Sequence, residues 1–286
     1  MFKKGWQPKE YKGVNDEIKQ QHMKAKDMSF KEKWNYFWYY YKIHTIVTII
    51  VIALVSVFIH DMVTAKDTSF YGIMLNAYAL DGNALESSFS EYAELDTENY
   101  ECFIDTSTVL SYQSQTGMDY STFQKLAAMM QTKELDAVIA DGQVFYSFSF
   151  NGMFMNLEEL LSPEELDRYK AENRVYYLDY AEVRRAEELE ENDPAVTADS
   201  ESHRASTTEE MASEANAHRY PETMEEPVPV GIFVDESPLA VRTNIYTPLV
   251  PIYGVPVTTQ RAETAKKYLD YMWDENIAFE EMITTY

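Results

Sequence analysis

The side chains best placed to do chemistry stand where apolar runs end. FYGIMLNA (70–77) closes on Asn76, with Tyr78 just beyond. YECFIDTS (100–107) closes on Asp105, Thr106 and Ser107. AVIA (137–140) is followed by Asp141, Gly142 and Gln143, with Tyr146 three residues on. Hydroxyls, amides, a carboxylate and aromatic faces make up a kit for holding a polar small molecule. In an open parallel sheet, ligands bind outside the carboxyl ends of the strands. Asn76, Tyr78, Ser107, Asp141, Gln143 and Tyr146 are therefore the candidate ligand-binding residues. Charge narrows the ligand, because Asp105 and Asp141 disfavour an anion. A neutral sugar, a cationic amine or the amino end of a peptide fits better. Each acid also has a plainer role within reach, since an Asp just before a helix accepts its free N–H groups.

Other chemistry finds little foothold in the spacing. The histidines are His22, His44, His60, His203 and His218. No two of them have the i,i+4 spacing of a helical zinc site, and there is no Cys-x-x-Cys, so no metal ligands are nominated. His203 and His218 with neighbouring glutamates are the weak exception. There is no Gly-x-Ser-x-Gly elbow and no phosphate-cradling glycine loop. No catalytic residue and no cofactor are expected, and the chain reads as a non-enzyme. The 43 acidic residues after position 60 bring carboxylates together by chance, so paired acids say little for glycosidase chemistry. Cys102 is the single cysteine. It allows no disulfide within the chain and reads as a small buried hydrophobe.

The elements that must position these residues alternate. Strand-like runs at 70–77, 100–107, 137–140, 176–180, 229–234 and 251–257 are separated by helical patterns. Asp81 is placed to cap one helix, and Ser162-Pro163-Glu164-Glu165 opens another as a capping box. This predicts an α/β fold with a mainly parallel sheet flanked by helices. The pattern breaks over residues 182–226, where 14 acidic residues face 4 basic ones and large aliphatic side chains are scarce. That stretch reads as a mobile acidic insert. Two pieces inside it look helical, residues 181–191 and, after a Thr207-x-x-Glu210 box, residues 209–219.

Ahead of this domain lies Ile43–Ile59, seventeen residues without a charge, about 26 Å long as a helix and close to a bilayer core. The aromatic cluster WNYFWYYYK (34–42) precedes it, as at a headgroup layer. Residues 1–42 carry ten Lys against five acidic residues, whereas residues 61–286 carry 14 basic against 43 acidic ones. The basic flank belongs in the cytoplasm. The expected localisation is the cell membrane, single-pass, with the N-terminus inside and the acidic part outside. A retained anchor is favoured over signal cleavage after Val63-Thr64-Ala65, because the preceding region is long. The divisions are a cytoplasmic tail (1–28), an amphipathic aromatic juxtamembrane helix (29–42), a transmembrane helix (43–60), an α/β outer domain (66–181), the acidic insert (182–227) and the remainder of the outer domain (228–286). The acidic charge of the outer part excludes nucleic acid as its partner.

LDAVIADGQVFYSFSFNGMFMNLEELLSPEEL (135–166) is similar to a segment of bacterial extracellular solute-binding proteins, in which a short strand ends in Asp and a helix follows. VPIYGVPVTTQRAETAKKYLDYMWDE (250–275) resembles their element in which a strand crosses back and a helix packs on it. FKEKWNYFWYYYKIH (30–44) resembles the entrance to the span of uncharacterised single-span Gram-positive proteins with such an outer domain. The resemblance implies a periplasmic-binding-like fold cut down to one lobe. It further implies a non-catalytic, membrane-anchored binding protein for a small neutral or cationic solute or a peptide. Its partners would be the lipid bilayer, through residues 43–60, and a small solute or partner protein outside the cell. Two alternatives stay open: a structural or assembly module working by protein contact, and an exported cell-wall enzyme.

Overall fold

The computed structural model describes residues 29–64, 66–110, 112–113, 117–118, 120–192 and 207–284. The tail expected over 1–28, Ala65 of the alternative cleavage site, and residues 193–206 of the insert with His203 lie outside the described residues. The chain divides into two compact units, Met1–Ala65 and Lys66–Tyr286.

The first unit is built on helix α1, Phe30–Thr64, 35 residues without a break. It contains no Pro or Gly to interrupt it. The aromatic helix expected over 29–42 and the apolar run are thus one continuous helix, about 52 Å long. Its stretch Tyr41–His60 is long and apolar enough to cross a membrane. Trp34, Phe37, Trp38 and Tyr41 follow the i,i+3,i+4,i+7 rule along one face, with neighbouring ring centroids 5.6–6.4 Å apart.

The second unit is an α/β layer. Its strands are β1 (Asp67–Met74), β2 (Tyr100–Asp105), the short pair β3 (Tyr112–Gln113) and β4 (Gly117–Met118), β5 (Ala137–Asp141), β6 (Val175–Asp179), β7 (Pro227–Phe233) and β8 (Pro251–Gly254). Six of them form one sheet in the order β2-β1-β5-β8-β7-β6. The helices are α2 (Gly82–Tyr92), α3 (Tyr120–Gln131), α4 (Gly142–Phe150), α5 (Leu157–Leu160), α6 (Pro163–Ala171), α7 (Tyr180–Asn192), α8 (Thr208–Ala217), α9 (Pro238–Thr243) and α10 (Ala262–Met272). Strand side chains alternate between two cores. On one face Phe70 of β1 meets Phe89 of α2 and Tyr268 of α10, each pair of rings 4.9 Å apart. On the other, Phe145 of α4 stacks on Phe154 at 4.4 Å and meets Tyr176 of β6 edge-on at 5.0 Å. Fully burying one such ring contributes about 1.5–3 kcal/mol.

The sheet is mixed, which corrects the mainly parallel sheet expected from the sequence. β1 runs parallel to β2 and β5, but β8 is antiparallel to both β5 and β7, and β6 is antiparallel to β7. The expectation rested on continuous apolar runs. Such runs report burial on both faces, and β6 and β8 are as completely buried as β5. Burial carries no information on strand direction.

Both outer strands are guarded. Beside β2, the Glu86 carboxylate of α2 accepts the Ile104 N–H at 3.0 Å. Beside β6, His218 takes both backbone groups of Tyr177: its carbonyl accepts the Tyr177 N–H at 2.9 Å and its Nδ1 lies 2.8 Å from the Tyr177 carbonyl. Each contact occupies part of an edge that could otherwise template pairing with another chain.

His218 belongs to the stretch expected to be a mobile loop, and here the structure differs again. The Thr207 capping box opens α8 as the spacing predicts. Helix α8 then packs on α4, burying Ala215. His218 stacks on Tyr176 at 4.5 Å, and Arg219 lies 3.6 Å over the Phe233 ring while pairing with Asp235 at 2.7 Å. Small side chains and flat stacking replace the aliphatic contacts whose absence pointed to mobility. The other helical piece, α7, is a continuous helix from Tyr180 with largely exposed side chains.

Candidate functional site

Asp141 closes β5 and caps α4. Its carboxylate accepts the Val144 N–H at 3.2 Å, and its backbone is extended as an N-cap requires. Burial pushes this carboxyl above its ordinary value, and hydrogen bonds from the Val144 and Gln143 backbones hold it back. The first turn of α4 comes close to α8 because Gly142 has no side chain. A Cβ there would stand 2.3 Å from the Ala215 Cβ. The two helices then face each other with complementary spacings. Gln143 and Tyr146 stand three apart on α4, and Glu214 and His218 stand four apart along α8 and its C-cap, so each pair shares a face.

These residues line a cleft of about 200 Å³ counted out to open solvent. Its closed part has room for about one water molecule. Gln143 is only 6 % exposed, yet neither its amide oxygen nor its amide nitrogen has a hydrogen-bond partner. The Glu214 Oε2 is likewise buried and unpartnered. Burial and the nearby Glu182 raise the Tyr146 phenol, so Tyr146 stays neutral at ordinary pH. The Tyr146 and His218 rings lie 5.5 Å apart. A carbonyl accepts only, so the His218 Nδ1 facing Tyr177 carries the imidazole proton. Burial raises the Tyr246 hydroxyl, which has no partner, and the charge of Asp141 raises it further.

Of the six residues picked from the sequence, Gln143 and Tyr146 meet in this cleft, and Asp141 caps the helix that carries them. The other three stand at the ends of β1 and β2 and are engaged differently. Asn76 adopts φ +63°, a left-handed conformation that Asn tolerates. Its side-chain amide clamps Leu110 through both backbone groups, at 2.7 and 3.0 Å. Ser107 donates to Asp105 at 2.7 Å within a turn that also takes the Ser107 and Thr108 N–H groups. Those bonds lower the Asp105 carboxyl against the opposing effect of its burial. Tyr78 is 63 % exposed. Asn76 and Ser107 thus shape turns, the plainer role.

The sequence reading missed Glu214 and Ala215. Their one signal was the helical register running from the Thr207 box to His218, which puts Glu214 and His218 on one face. Among the described residues no three His, Cys, Asp or Glu side chains gather closely enough to hold a metal ion. No protein-family model matches this chain, and no curated protein shows significant similarity to it.

Proposed function

We propose that this chain is a single-pass membrane protein whose acidic α/β domain stands outside the cell and works by binding, not catalysis. The favoured partner is a protein or peptide contacted at the surface of the domain. The observation that carries the choice is the size of the cleft between α4 and α8. Sites that engulf a solute enclose about 300–1,000 Å³, and this one closes around a single water-sized space. The membrane placement is supported by α1 with its apolar stretch Tyr41–His60 and by the basic N-terminal flank against the acidic remainder.

The reading is tested in two steps. A reporter enzyme active only outside the cytoplasm, fused after Tyr286, gives an exported signal; a cytoplasmic signal overturns the orientation. A panel of neutral sugars leaves the melting midpoint of the full chain unchanged, whereas a ligand binding only the folded state raises it. A shift of several degrees with a sugar restores the solute-binding alternative. One feature speaks for a small group inside the cleft all the same: the unpaired amide of Gln143.

A further inference from the structure

We propose that the cleft between α4 and α8 captures a free amino end, a primary ammonium with a carbonyl on the adjacent carbon, as at the N-terminus of a peptide. The inference deepens the reading of this domain as a binding module and rests on it.

Three unmet groups define the ligand. The Gln143 amide presents an acceptor and a donor side by side, both buried and both unpartnered. The Glu214 Oε2 is a third, an unpartnered carboxylate oxygen. A buried polar group left unsatisfied is costly, so a ligand matching all three recovers what the free protein forgoes. The closed space is water-sized, and an ammonium nitrogen is close to water in size. An ammonium brings several donors and a positive charge. It can serve the Glu214 Oε2 and the Gln143 Oε1 together in charge-assisted bonds. The Gln143 Nε2 then still requires an acceptor, and a carbonyl one carbon away from the amine provides it at the mouth of the cleft. The Tyr146 ring along the wall is of the kind that favours a cation over an anion. The field of a domain with 43 acidic residues against 14 basic ones works in the same direction. A divalent metal fits less well, since it leaves the Gln143 Nε2–H beside a like charge, and no three-ligand cluster surrounds it among the described residues.

The test is calorimetric titration of the full chain in nanodiscs with glycinamide, which carries both groups. The expected result is saturable one-to-one binding. N-acetylglycinamide, whose amine is blocked, and n-butylamine, which lacks the carbonyl and imitates a lysine tip, bind at least tenfold more weakly. Gln143→Leu and Glu214→Gln each weaken glycinamide at least tenfold. Glu214 is only half-buried, so Glu214→Gln keeps the test decisive where Gln143→Leu does not fold. Absence of binding heat overturns the proposal and points to an ordered water in the cleft. Butylamine binding as tightly as glycinamide overturns the amino-end assignment, and variants within twofold of the parent overturn the location. These outcomes do not depend on topology. A cytoplasmic reporter signal sinks the extracellular reading alone, and a failed titration sinks this inference alone.

Discussion

The two ends of strand β5 bury polar groups in opposite ways. At its start, Asp136 is fully buried and fully answered: Arg261 Nε donates at 2.7 Å, the Thr259 hydroxyl at 2.5 Å and the Tyr71 N–H at 2.8 Å. At its finish, Asp141 receives the Val144 N–H at 3.2 Å, and Gln143 two residues later has no partner at either amide atom. One end spends its polar atoms on holding the fold. The other leaves them in reserve. A buried group that pairs internally belongs to stability, and one the protein leaves unpaired calls for a partner from outside the chain, a water or a ligand.

The largest effect is expected at the answered end. Arg261→Met strands a buried carboxylate, and breaking such a pair costs about 3–5 kcal/mol. Urea unfolding of the full chain in nanodiscs measures it. Combining Arg261→Met with Asp136→Asn removes the stranded charge, so the double variant is expected to be more stable than Arg261→Met alone. Equal loss in the single and the double variant means that Asp136 was not paired with Arg261 in solution.

The next effect concerns how the unanswered end is built. Gly142→Ala places a methyl 2.3 Å from the Ala215 Cβ, so α8 must lift from α4 or the backbone must shift. Such overpacking costs about 1–3 kcal/mol, although Ala is otherwise the better helix former. Ala215→Gly in the same chain removes the closest contact and should recover part of the loss, less the cost of a glycine within α8. Hydrogen exchange at the α8 amides locates the change: faster in Gly142→Ala, and slower again in the double variant. A Gly142→Ala chain as stable as the parent breaks the view that α8 is seated on α4.

That contact also shows what the sequence could and could not reveal. The six sheet strands are legible as apolar runs, and Asp81, Ser162 and Thr207 are legible as caps because capping depends on local chemistry. Gln143 and Tyr146 are legible as candidates because they follow the end of a strand. Strand direction is not, since a run such as PIYGVPV is buried on both faces whichever way it points. Docking of α8 is hidden more deeply. The stretch from Glu182 to Glu226 is acidic overall, and beside the scattered Val183, Ala212 and Met224 its contacts use Ala215, the His218 ring and the Arg219 guanidinium, which together form no regular hydrophobic pattern. The close approach of Gly142 to Ala215 joins residues more than seventy positions apart, and a local pattern cannot register it.

Smaller still is the effect of emptying the reserve. Gln143→Leu removes two unpaired polar atoms from a buried place and leaves apolar volume behind. Replacing unsatisfied polar groups by an apolar shape is close to neutral or stabilising, so the free energy of unfolding in urea should fall by less than about 1 kcal/mol or rise. A loss of 2 kcal/mol or more would show that Gln143 is hydrogen-bonded in solution, and the contrast between the two ends of β5 would fail.

The smallest effect is the pH dependence carried by Asp141, and its sign is opposite to the common case. Burial holds its folded value above the ordinary one of 3.8, so between the two values the folded chain binds the proton more tightly than the unfolded chain does. Its contribution to stability is therefore fully present below the unfolded value and is lost as pH rises through the raised folded value. Asp141→Asn keeps an acceptor for the Val144 N–H and removes the titration. Glu165 behaves the other way. Its bond to Lys266 at 2.8 Å holds its carboxyl down at about 2 against an ordinary 4.5, so its stabilisation is present above 4.5 and disappears as pH falls towards 2. The two windows lie on either side of about pH 4, which allows them to be separated. Unfolding midpoints of the parent and Asp141→Asn should diverge as pH rises from 4, with the parent falling relative to the variant, and then run level. If the parent gains stability relative to the variant over that interval, Asp141 is stabilised as the anion. The unanswered end of β5 would then hold a charge that its surroundings favour.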